Sequence, residues 1–236
     1  STVTITNSTN SGDVSATSES IDAYAGGMVG YAYSTVTITN CTNSGTLTVG
    51  NISNTNDGNN GRLYMAGLVS TFNAGTISHC ENLSSAKFTT AANNFAYGFM
   101  IGGLIGYISP TTSLVDQVIT LADCENKADL DIKTNAFSTI YLGGILGQLW
   151  ANKADLAVNF VRVKNSGNIT LGGTCTAGSY VVGGITSYVL AEMHYNDCHN
   201  TGNVTAKVQK HAYMGGCIGT IDIDASLVVD GCTNKG

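Results

Sequence analysis

Apolar and polar side chains alternate in short stretches that return along the whole chain. Val3 and Ile5, Val36 and Ile38, Ile119 and Leu121, Val158 and Phe160, and Leu227 and Val229 fall on one face. Thr4 and Thr6, Thr37 and Thr39, and Thr76 and Ser78 fall on the other. Period-two alternation of this length predicts half-buried strands. Each stretch leads to an asparagine, at Asn10, Asn43, Asn82, Asn126, Asn165, Asn200 and Asn234. Two residues ahead of it runs one register of cysteines, Cys41, Cys80, Cys124, Cys198 and Cys232, with Ser8 and Val163 in the remaining places. A free cysteine packs as a small apolar side chain, so this column is expected to face inward. Asn10, Asn43, Asn165, Asn200 and Asn234 open Asn-x-Gly triplets, which are expected to supply a left-handed corner. A further short strand follows, with Val14 and Ala16, Leu47 and Val49, Leu130 and Ile132, Ile169 and Leu171, and Val204 and Ala206 pointing inward.

A glycine ladder completes the unit. Gly26-Gly27-Met28-Val29-Gly30 is echoed at 66–70, 102–106, 143–147, 183–187 and 215–219, and its second glycine returns every 32 to 41 residues. Self-similarity at this period marks stacked supersecondary units. Equivalent residues return once per unit and no helical period intervenes, so each strand is expected to pair in parallel with its counterpart in the next unit. The chain therefore reads as all-β, a single parallel β-helix (β-solenoid) domain over residues 1–236, with about six coils and three short strands per coil. Amides of the asparagine column are expected to hydrogen-bond along the axis, a structural rather than a ligand-binding role.

Three departures from the repeat, at 50–62, 89–98 and 172–179 (the last containing Cys175), enter the same connection before the next glycine motif. Insertions gathered on one side of a repeat array often mark its binding face, which points to the loops around Asn56 and Asn94. The first and last segments share one phase, so further repeats or domains of the same chain are expected beyond them.

Composition narrows the function. The formal net charge is -6, charged residues make up 11%, and Arg62 and Arg162 are the arginines. Without clustered cations a nucleic-acid partner is not expected. Apolar runs stay below the length of a membrane span. Seven widely spaced cysteines do not read as a disulfide scaffold.

The repeated Gly-Gly-aliphatic-aliphatic-Gly, followed by a strand and Asn-x-Gly, resembles the GLUG-motif repeat family over nearly the whole chain. Ala66, Ser70, Thr186 and Ser187 depart from its glycine-rich pattern. The resemblance implies a β-solenoid of a bacterial cell-surface or secreted protein with an interaction role, and it brings no catalytic residues with it.

The residues themselves offer few chemical groups. Tyr24, Tyr64, Tyr141 and Tyr213 form a column ahead of the glycine motif, with Met100 and Val181 in the other places. It reads either as a ladder packed beneath the inserted loops or as a sugar-stacking strip. Asp123, Arg162 and Asp197, with Glu125 and Lys164, are expected to pair between neighbouring strands. Asp129 with Asp131, and Asp222 with Asp224, fall short of a calcium loop, and His79, His194, His199 and His211 lack zinc-site spacing. No metal or cofactor is expected. The reading is a non-enzymatic, extracellular module for adhesion or recognition of a glycan or host surface protein, or a stalk. The alternative is a carbohydrate-active β-helix enzyme whose carboxylates converge in the fold.

Overall fold

The computed structural model describes residues 2–18, 22–52, 61–83, 87–90, 98–110, 117–136, 139–151, 156–175, 178–208 and 211–236. These residues form a parallel β-helix. The first complete coil contains Ala23–Gly26, Val29–Ala32, Thr35–Thr39, Thr42–Asn43 and Leu47–Ile52, and each strand pairs in parallel with its counterpart one coil on. The coil thus holds five strands rather than the expected three. A tight Gly-Gly corner breaks the first extended run in two, and the asparagine forms a two-residue strand of its own. No helix of the described residues is long and apolar enough to cross a membrane.

Two interior columns divide the cross-section. The asparagine amides form one continuous ladder, Nδ2 donating to Oδ1 of the next coil from Asn10 through Asn43, Asn82, Asn126, Asn165 and Asn200 to Asn234, at 2.7–2.9 Å. The second amide hydrogen is also used: Asn126, Asn165 and Asn200 donate it to the carbonyl two residues on. Opposite each amide from Asn43 onward lies the second glycine of the motif. A Cβ on Gly103 would lie 2.4 Å from Asn126 Cγ, and one on Gly144 would lie 2.5 Å from Asn165 Cγ. This contact pinches the coil into two apolar compartments. One holds Val36, Ile38, Phe72, Leu121, Phe160 and the cysteine column. The other holds Leu47, Leu63, Phe99, Leu130, Leu142 and Tyr180.

The cysteine expectation is met at four of its five positions, Cys232 in the last coil being only part-buried. Cys41, Cys80, Cys124 and Cys198 are buried thiols, and the Cys41 and Cys80 amides donate to the sulfur one coil on, each at 3.4 Å. Burial pushes the Cys198 thiol up to about 12.

The left-handed corner sits elsewhere than expected. It falls on the residue before the cysteine register, at Asn7, Asn40, His79, Asp123, Arg162 and Asp197, with φ of 51–54°, and at Gly231. Asn, Asp and His enter this region more readily than other side chains, so the column carries a legible signal. The glycines of Asn-x-Gly serve close approach instead. A Cβ on Gly45 would lie 2.0 Å from Gly12 O, and one on Gly202 would lie 1.9 Å from Gly167 O. The inserted segments are also shorter than expected, because strands Leu47–Ile52, Phe88–Thr90 and Ile169–Cys175 run into them.

Gly144→Ala is expected to cost about 3 kcal/mol or more, since its Cβ meets backbone and a fixed amide. Asn126→Ala, which strands amide groups of Asn82 and Asn165, should cost about 2–5 kcal/mol. Gly172→Ala, whose nearest neighbour would be Lys133 Cγ at 3.7 Å, should stay within about 1 kcal/mol of the wild type. Urea unfolding midpoints check all three.

Candidate functional site

The pinch that separates the two compartments also folds the outer surface inward. Strands running into the glycine corner and strands running out of it turn their outer faces toward each other, leaving a groove along the axis. The inbound column is the predicted Tyr24, Tyr64, Met100, Tyr141, Val181 and Tyr213, paired in register through every coil. The outbound column is Tyr31, Thr71, Tyr107, Gln148, Tyr188 and Thr220, also in register. The outbound residues escaped the sequence reading, although each stands four positions after the second glycine, just as the inbound ones stand three before it.

Aromatic contacts bridge the two walls. Ring centroids are 4.9 Å apart for Tyr24 and Tyr31, 5.3 Å for Tyr64 and Tyr107, and 5.4 Å for Tyr141 and Tyr188. The expected ladder within the inbound column exists at one step, where Tyr24 and Tyr64 stack at 4.8 Å and 4°. Met100 interrupts it. Tyr64 is 4% exposed, whereas Tyr213 is 51% exposed, so the column is no uniform strip.

Between the Tyr64–Tyr107 and Tyr141–Tyr188 bridges lies a cavity of about 240 Å³, lined by Arg62, Gly98, Met100, Tyr107, Thr139, Tyr141, Gln148 and Trp150. Arg62 and Gly98 are the last residues of two of the three inserted segments, so two of these segments end at the groove. Asn56 and Asn94 lie outside the described residues. Trp150, the only tryptophan, is half exposed and stacks beside Tyr188 with centroids 6.1 Å apart. Gln148 is buried, and its Oε1 has no hydrogen-bond partner among the described residues.

Burial raises the tyrosine hydroxyls along both walls. Tyr64 is pushed up to about 12, and Tyr24, Tyr107, Tyr141 and Tyr188 move the same way, so all remain neutral donors at physiological pH. Tyr24 donates to Asp22 at 3.0 Å, and Tyr188 donates to Asp222. The Tyr188 hydrogen bond holds the Asp222 carboxyl below the usual aspartate range.

The other candidates stand apart from the groove. Arg162 forms a two-pronged pair with Asp123, at 2.6 and 2.8 Å, rather than bridging Asp123 and Asp197; Asp197 takes His199 at 3.0 Å. Lys164 meets Glu125 at 3.0 Å, as expected. His79 reaches Asp123 at 3.8 Å and His194 reaches Glu192 at 2.9 Å. Asp129 accepts the Asn168 amide and Asp131 pairs with Lys133 on a different, open sheet face. The two acidic pairs are therefore not brought together. Among the described residues no group of three His, Cys, Asp or Glu side chains gathers as a metal site would require.

No family model, no curated protein and no solved structure matches this chain.

The folded-state pKa of Asp222 is depressed, so its bond to Tyr188 is intact above the ordinary aspartate range and is lost as pH falls through the lower folded value. Trp150 emission should therefore hold steady from neutral pH down to about pH 4 and change below it. In Tyr188→Phe the transition should move up toward the ordinary aspartate value or vanish. A fluorescence titration checks both.

Proposed function

We propose that the chain is a non-enzymatic recognition module of the extracellular surface, and that its axial groove binds carbohydrate. The observation that carries this reading is the lining of the central cavity. Trp150, Tyr107 and Tyr141 present aromatic surface, and the buried Gln148 amide and the Arg62 guanidinium add polar groups beside it. Apolar ring faces with hydroxyl edges are what a sugar offers to such a lining: C–H faces stack on aromatic rings, and hydroxyls meet the polar groups. The cavity has room for a single pyranose ring. A rigid solenoid suits this task because each groove residue is held by its strand register, so little ordering entropy is lost on binding.

Location outside the cell rests on the likeness of the glycine motif to GLUG repeats in bacterial surface proteins. The non-catalytic reading rests on the carboxylates. Glycoside hydrolysis by the common route needs two carboxyl groups about 5–9.5 Å apart around the scissile bond. Of the described carboxylates, Asp22 and Asp222 neighbour the groove five coils apart, roughly 24 Å at the strand spacing of a sheet.

The test is a panel of host glycans, mucins and plant polysaccharides presented to the purified chain, reading both retention and release of reducing ends. Retention without release is the expected result. Trp150→Ala, at an exposed position, should leave the β-sheet spectrum unchanged and cost about 2 kcal/mol of binding, roughly thirtyfold in Kd. Release of reducing ends would overturn the non-enzymatic reading; no retention on any glycan would overturn the carbohydrate reading.

A further inference from the structure

We infer that the ligand of this groove is an extended, uncharged glycan that lies along the solenoid axis and meets an aromatic step at every second coil. The inference rests on the carbohydrate reading above and goes beyond it, to the shape and charge of the sugar.

Along the outbound wall the residues alternate strictly: Tyr31, Thr71, Tyr107, Gln148, Tyr188, Thr220. Aromatic rings therefore recur every two coils, about 9.6 Å at the spacing of neighbouring strands. An extended β-1,4-linked chain turns the same ring face to one side at every second residue, which is close to that interval. Each of these three outbound rings, Tyr31, Tyr107 and Tyr188, also meets an inbound tyrosine across the groove. A single-sugar pocket needs no such periodicity.

The polar residues between the steps supply the second observation. Thr71 is 1% exposed and Gln148 is 2% exposed, and Thr71 Oγ1 and Gln148 Oε1 have no hydrogen-bond partner among the described residues. Buried oxygens in that condition are costly, and Gln148, which lines the central cavity, can accept a hydrogen from a sugar hydroxyl that enters it.

Charge decides the class of glycan. Asp22, bonded to Tyr24, and Asp222, bonded to Tyr188, stand beside the groove toward its two ends. A regular polyanion would place charge near both carboxylates, and the chain as a whole carries -6. An uncharged chain meets no such repulsion, and Arg62 serves it as a hydroxyl donor.

Calorimetry on the full chain tests the inference with neutral β-1,4-linked gluco-, manno- and xylo-oligosaccharides of two, four and six rings, and with oligogalacturonates of equal length. For at least one neutral series, Kd should fall at least tenfold from two rings to six. Tyr31→Ala, which lies away from the central cavity, should weaken the six-ring ligand at least fivefold and the two-ring ligand by a smaller factor. Equal Kd for two and six rings would overturn the extended mode while leaving carbohydrate binding in place. Tighter binding of the galacturonates would overturn the uncharged assignment. Heat from none of the oligosaccharides, together with no retention on the polysaccharide panel, would overturn the carbohydrate reading itself.

Discussion

Seven asparagine amides, bonded head to tail through the interior and pressed against a column of glycines, set the shape of this protein. Every amide in the run points its Nδ2 toward the same end, so the bonds polarise one another in a region shielded from water. Asn43, Asn126, Asn165 and Asn200 also close their own corners by bonding two residues ahead. The arrangement leaves no room for a side chain opposite it, which is why the second glycine of the motif returns in every coil. An amide without its neighbours would be a buried polar group with nothing to bond, so the ladder holds the coils in common register as well as adding stability.

The groove is a consequence of that contact. A coil wrapped around one core is convex all round. Drawing the glycine corner in to meet the asparagine makes two cores and turns the outer faces of two sheets toward each other. Tyr24 with Tyr31, Tyr64 with Tyr107, and Tyr141 with Tyr188 then touch across a gap that a simple solenoid lacks. The interior constraint and the candidate binding surface are thus two sides of the same glycine corner.

Within the groove, burial and hydrogen bonding act together. The tyrosine hydroxyls are held neutral, and two of them are tied to Asp22 and Asp222. The surface charges follow a different logic: Arg162 and Asp123, and Lys164 and Glu125, pair between neighbouring coils. Such exposed pairs add little stability individually. Their value here is that strands carrying opposite charges at one register position resist slipping, and a slip would break the amide ladder.

The sequence alone was enough for the periodic part of this protein. Alternation at Val36 and Ile38, an asparagine in every repeat and a glycine motif in every coil are properties of spacing, and a stacked array converts spacing directly into register. The inward cysteine column followed from the same arithmetic. Position relative to the coil interior was another matter. The asparagines and the second glycines read as two separate ladders, because nothing in their 16-residue separation between Gly27 and Asn43 says that they touch. The left-handed corner was misplaced by three residues because Asn-x-Gly carries the louder local signal, although close approach to the coil beside it is what requires that glycine. Tyr107, Gln148 and Trp150 became a site only when tertiary packing turned the outbound strands to face the inbound ones. Spacing along a chain fixes which residues stack; which stacks face each other is decided by where the chain bends, and that depends on contacts through the core.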